Sequence, residues 1–188
     1  NATCLSMITT QPIAPDRNQG ELMRKVNKEK PTHPIYNYVA ITDSVEGLIL
    51  SDVGTLSDGE PRNNFLERAL TWNENGVLNG ARDIEVGGRY AYIIADAGLV
   101  VIDMESPLAP SLVAKVPLNN GHDVVQQFRY LLVTDDDGLK TIDITEAGNP
   151  RLIAGNTIPL ASANRVFVAR TFAYVAAGSE GLVIVDAS

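Results

Sequence analysis

This chain of 188 residues has only two histidines, His33 and His122, and one cysteine, Cys4. Nucleophilic catalysis needs a nucleophile held beside a base, and Cys4 stands far in sequence from both histidines. The sequence holds no GxSxG elbow, no glycine-rich phosphate loop and no CxxCH haem-attachment site. A zinc site asks for three or four suitably spaced ligands, and the supply is too thin for one. Asp135-Asp136-Asp137 raises calcium, but three consecutive carboxylates on a tight turn cannot all face one ion, and the spaced pattern of a calcium loop is missing. Turn chemistry is the expected role of these acids. Any two of the 23 acidic residues that meet in space are the remaining route to acid–base chemistry. No catalytic residue, metal site or cofactor is therefore assigned, and the chain is expected not to be an enzyme.

The polar residues whose spacing is informative are Arg82, His122 and Asn164. They occupy the same slot in three strand-like segments: Ala81-Arg82-Asp83-Ile84-Glu85-Val86, Gly121-His122-Asp123-Val124-Val125-Gln126 and Ala163-Asn164-Arg165-Val166-Phe167-Val168. They mark a repeat. Arg89-Tyr90-Ala91-Tyr92-Ile93-Ile94-Ala95 leads into Gly98-Leu99-Val100-Val101-Ile102-Asp103. Arg129 to Thr134 leads into Gly138 to Asp143 in the same way, 40 residues later. A third copy runs through Phe172-Ala173-Tyr174-Val175-Ala176 and Gly181-Leu182-Val183-Ile184-Val185-Asp186. A degenerate copy comes first, in Tyr36 to Ile41 and Gly47 to Asp52.

These segments are short, rich in Val, Ile, Leu and Tyr, and separated by Gly or Asp, so they read as strands. Runs such as Leu182-Val183-Ile184-Val185 are apolar on both faces, as in a sheet covered on both sides. The glycine of each hairpin supplies a positive φ. A further strand opens the last three copies, and another closes the middle two after Pro110 and Pro150; the first copy lacks a clear opening strand. Four strands in about 40 residues is one propeller blade. The fold class is therefore all-β, a β-propeller of four-stranded antiparallel blades, with two full and two partial blades. Residues 1–35 read as an irregular N-terminal arm, and residues 36–188 as blades with an insertion at about 54–78. In that insertion Asn64 to Leu70 is the best candidate for a helix, capped by Asn63. In a propeller the opening strand lines the central channel. Arg82, His122 and Asn164 would then converge on the axis, either to contact a ligand or to hold blades together through neighbours such as Asp83, Asp123 and Arg165.

The net charge is −8, with 45% hydrophobic and 20% charged residues. That balance suits a globular domain and opposes nucleic-acid binding, for which no basic stripe is present. No apolar stretch reaches the length of a membrane span.

The Gly-Leu-Val-Ile-Val-Asp run at 181–186 and its counterpart at 98–103 resemble the signature of the LVIVD-repeat family, as do Ala81-Arg82-Asp83 and Tyr90-Ala91-Tyr92. The resemblance covers about residues 36–188 and departs from the pattern at Lys140-Thr141. It implies a β-propeller of bacterial or archaeal surface or secreted proteins, and so an extracytoplasmic location. The implied role is a non-catalytic scaffold or binding module that makes protein–protein contacts. The resemblance carries two alternatives: an accessory subunit beside multihaem cytochromes in extracellular electron transfer, and a ligand binder or enzyme working at the channel mouth. An open blade leaves unpaired backbone groups and an apolar face. The expected partner is thus another protein, or the remainder of the same chain, completing the propeller. A strand supplied by the N-terminal arm is the other route to closure.

Overall fold

The computed structural model describes residues 1–7, 33–57 and 59–188. Strands dominate, and the only helical pieces among the described residues are short 3-10 turns. The strands group into four antiparallel sheets, each running in chain order. The first holds β1 (Ala2–Met7), β2 (Tyr38–Asp43), β3 (Gly47–Asp52) and β4 (Glu67–Trp72). The second holds β5 (Asp83–Gly87), β6 (Tyr90–Ala95), β7 (Gly98–Asp103) and β8 (Ser111–Val116). The third holds β9 (Asp123–Gln127), β10 (Tyr130–Asp135) and β11 (Gly138–Asp143). Its outer edge is shared by β12 (Arg151–Leu152) and β13 (Ile158–Pro159). The fourth holds β14 (Arg165–Ala169), β15 (Phe172–Ala176) and β16 (Leu182–Asp186).

The sheets stack face to face through three apolar cores. Ala40, Leu48 and Leu50 of the first sheet meet Ala91, Ile93 and Val100 of the second. Tyr92, Ile94, Leu99 and Val101 meet Leu131, Val133 and Ile142 of the third. Leu132 and Leu139 meet Val166, Ala173 and Val175 of the fourth. Successive residues of β6 and β7 thus serve opposite cores, which is why those strands are apolar at every position. The opening strands β1, β5, β9 and β14 are neighbours in that order.

Two hairpin devices recur. The terminal aspartate of each third strand accepts a hydrogen bond from the backbone N–H two residues on: Asp52 from Gly54 at 2.7 Å, Asp103 from Glu105 and Asp143 from Thr145 at 2.8 Å, and Asp186 from Ser188 at 3.0 Å. This Asx turn ends the strand. At the other end, Gly98 and Gly138 take φ of +99° and +129°. A Cβ on either would lie 2.4 Å from the carbonyl oxygen of Val116 or 2.1 Å from that of Ile158, on the closing strand.

Three expectations are corrected. The segment Ala2–Met7 is not irregular: it is β1, and it supplies the opening strand that the first copy lacked. The remainder of the expected arm, residues 8–32, lies outside the described residues. The helix expected at Asn64 to Leu70 is absent. A 3-10 turn at Pro61–Asn63 precedes β4, which pairs with β3 from Leu48↔Trp72 to Asp52↔Glu67. Pairing with the edge of β3 satisfies backbone groups and brings Leu70 and Trp72 against the first core, which outweighs the helical preference of Glu-Arg-Ala-Leu. The stretch 54–78 therefore closes the first sheet rather than interrupting the repeat.

Candidate functional site

The opening strands surround a concavity of about 570 Å³, lined among others by Leu5, Met7, Asp83, Asp123, Arg165 and Phe167. Its polar floor follows from strand register. Cys4, Asp83, Asp123 and Arg165 lie opposite Thr42, Ile94, Thr134 and Ala176, the same position of each second strand. One slot therefore carries a cysteine, two aspartates and an arginine on four neighbouring strands.

That slot clasps sheet to sheet. Asp83 Oδ2 accepts the backbone N–H of Val124 at 2.8 Å, and Asp123 Oδ2 accepts that of Val166 at 2.7 Å. Cys4 does the same with its sulfur toward the N–H of Ile84. In each case the slot residue satisfies a donor one strand further round the axis. Arg165, last in the row, points back: its guanidinium donates to Asp123 Oδ1 and lies 3.4 Å from Asp83 Oδ1. Asp83 and Asp123 are both buried. Burial, and then the charge of Asp83, push the carboxyl of Asp123 up to about 6. Burial likewise raises Cys4, whose thiol is held further from ionisation by Asp83, and it raises Glu85. A thiol shifted upward is a poor nucleophile.

Arg82, His122 and Asn164 do share a slot, as their spacing predicts. Their backbone N–H groups donate to Ile94, Thr134 and Ala176 at 2.8, 2.8 and 2.9 Å. The side chains of Arg82 and His122 turn to the hairpins at one rim, and that of Asn164 to the loop before β14, instead of lining the concavity. Arg82 Nη2 meets Asp96 Oδ1 at 2.6 Å, His122 Nε2 meets Asp136 Oδ1 at 2.8 Å, and Asn164 Nδ2 donates to Ser162. Sequence reasoning thus placed the convergence one residue early. The signal for the true slot was present in the acids at 83 and 123, but Arg165 and Cys4 break the residue type, and only register reveals the equivalence.

The three acids of the third repeat have different partners. Asp136 faces His122 and Asn120. Asp135 and Asp137 both hold the Lys140 ammonium, Asp137 at 2.6 Å. Lys140 is buried and so is Asp135. In the second sheet the corresponding positions are Val100 and Ala95, so an ion pair replaces an apolar contact there.

The second feature of the site is the far face of the fourth sheet. Tyr174 corresponds to the buried Tyr92 and Leu132, and Leu182 to the buried Leu48, Leu99 and Leu139. Yet Leu182 is 64% exposed, Ile184 58% and Phe167 67%. Phe167 and Leu182 also border the concavity.

Stacked antiparallel sheets, joined at their opening strands around a shared concavity, define a propeller-like all-β repeat protein. Within it, residues 80–117 and 161–188 match the family model described as the LVIVD repeat. The first match spans the second sheet and the second match spans the fourth. The stretch between these matches contains the Lys140 ion pair. No curated protein matches the chain. Among the described residues, no helix is long and apolar enough to cross a membrane.

Proposed function

We propose that this chain is a non-catalytic scaffold that makes protein–protein contacts, in an assembly outside the cytoplasm. One observation carries the reading: Leu182, whose counterparts Leu48, Leu99 and Leu139 are buried in the first three sheets, stands in solvent on the fourth beside exposed Ile184 and Phe167. Contiguous exposed apolar surface of this kind marks an interaction face. The polar residues beside it support binding over chemistry. Asp83 and Asp123 are engaged with backbone N–H groups and with Arg165, and Cys4 is held as a thiol. The location follows the LVIVD resemblance. Nothing in the concavity selects a haem protein over another partner, so the proposal leaves the partner's class at protein.

The test is a photo-crosslinking side chain placed at position 167 or 184, in cells that make the protein, with position 115 on the exposed closing strand of the second sheet as control. Discrete protein adducts at 167 and 184, recovered from the extracytoplasmic fraction and missing at 115, are expected. Equal labelling at all three positions, or adducts confined to cytoplasmic proteins, would overturn the proposal.

A further inference from the structure

We infer that the turn joining β9 to β10 is a second contact surface, and that it docks Phe128, flanked by Arg129 and Arg170, into an apolar pocket edged by carboxylates on another protein. This surface goes beyond the face of the fourth sheet. It is made of turns, at the strand ends away from Asp96 and Asp136. Three two-residue connections stand side by side there: Gly88-Arg89, Phe128-Arg129 and Arg170-Thr171. A Cβ at Gly87 would lie 1.9 Å from Gln126 Oε1, and Gln127 Nε2 donates to the Arg170 carbonyl at 2.7 Å, so each turn touches the next strand pair. The first residue of each connection has a left-handed φ: +61° at Gly88, +53° at Phe128 and +55° at Arg170. Such connections favour glycine there, and a bulky side chain is strained. The second sheet follows that preference. The third places a phenylalanine at the position, 83% exposed. Neither backbone preference nor burial accounts for Phe128, and strain of this kind gathers at functional sites.

The turn is also braced. Gln126 Nε2 donates to the Phe128 carbonyl at 2.8 Å, and Gln127 holds the neighbouring turn. Val86 and Gly87 stand at these two positions in the second sheet, and Val168 and Ala169 in the fourth. Of these three sheets, only the third carries side chains there that can donate a hydrogen bond. An aromatic side chain presented on a fixed turn loses little freedom on binding.

Charge names the occupant. Arg89 is tied to Asp103 and Glu105, each at 3.0 Å. In the third sheet Thr145 replaces Glu105, and Arg129 lies over the ring of Tyr130, 5.1 Å from its centre. Asp143 is lowered in part by the charge of Arg129 but does not pair with it. Among the described residues neither Arg129 nor Arg170 forms an ion pair. An exposed aromatic beside two uncommitted guanidiniums suits an apolar pocket with acidic edges. An anionic membrane would ask for a cluster of about four or more basic residues. Here the carboxylates of Asp103, Glu105 and Asp143 share the rim.

The test places p-benzoylphenylalanine at position 128 in cells that make the protein, with position 115 as control. A discrete adduct with another protein at 128 alone is expected, and the crosslinked segment of that protein should carry carboxylates. A synthetic peptide of that segment is then titrated against the full chain. Phe128→Gly should weaken its binding at least about tenfold, and Arg129→Gln or Arg170→Gln severalfold. Phe128→Gly should unfold in urea no earlier than the parent, because glycine suits the turn. A marked loss of stability would show that Phe128 packs within its own chain and would overturn the inference. No adduct at 128, an adduct with a second copy of this chain, a segment without acidic residues, or peptide binding that is absent or indifferent to Phe128→Gly would each overturn it too. So would Phe128-dependent sedimentation of the chain with vesicles of equal phosphatidylglycerol and phosphatidylcholine, in favour of a membrane. Adducts at 128 without any at 167 or 184 would support this surface while sinking the face of the fourth sheet, and the converse would sink this surface alone.

Discussion

Single residues in this protein are explained best by comparing the four copies. Gly98 and Gly181 both hold a positive φ, but only Gly98 has a carbonyl pressed against it. Gly98→Ala is expected to cost about 2–4 kcal/mol, from φ strain plus displacement of β8, and Gly181→Ala about 1 kcal/mol, from strain alone. Urea denaturation of the two variants checks the ranking, and equal costs would contradict the open position beside Gly181. Asp123 gives a pH prediction. Its carboxyl is raised by burial and by Asp83, so the protonated form suits the fold. The stability it contributes is present in full below the ordinary value near 3.8 and is lost as pH rises through about 6. Asp136, Asp137 and Asp143 are shifted the other way by their partners, so their contributions are lost as pH falls. Stability should peak where these windows meet, near pH 4. Asp123→Asn should flatten the slope between about pH 4 and 6, as denaturant midpoints across that range will report. The hairpin glycines were legible in the sequence because each stands at a fixed place before an apolar run. The Cys4, Asp83, Asp123 and Arg165 slot was not, because its residue types differ and only strand pairing aligns them.

At the scale of elements, the buried Lys140 shows how a repeat tolerates a departure from its pattern. Lys140→Val leaves Asp135 buried without its cation and should cost about 3–5 kcal/mol. Adding Asp135→Ala recreates the Val100 and Ala95 pairing of the second sheet and should recover a large part of that loss. A double-mutant cycle measures the coupling, and strictly additive effects would contradict the ion pair. From sequence Lys140 was only an irregularity, because its partners Asp135 and Asp137 read as turn residues. The strands themselves were legible wherever both faces are apolar, as in β6, β7 and β10. The reading failed at β4 and β1. Glu67–Trp72 carries good helix formers and becomes a strand because the edge of β3 waits for it. Ala2–Met7 has no glycine or apolar run to mark it, and it becomes a strand through pairing with β2.

For the whole molecule, the account is one of stacking. Each sheet buries one face against its predecessor and offers the other to its successor, and the opening strands are clasped from sheet to sheet around a common concavity. That architecture was legible because the repeat is visible in four copies. The working surface was legible only as an open blade, and its identity as the face of Leu182 and Ile184 needed the burial of their counterparts Leu99 and Val101. The most direct measurement is amide hydrogen exchange, compared strand by strand across β3, β7, β11 and β16 in the dilute chain. The account predicts slow exchange along β3, β7 and β11, and fast exchange at the outward-facing amides of β16. Protection of β16 equal to that of β7, or fast exchange along β7 and β11, would contradict it.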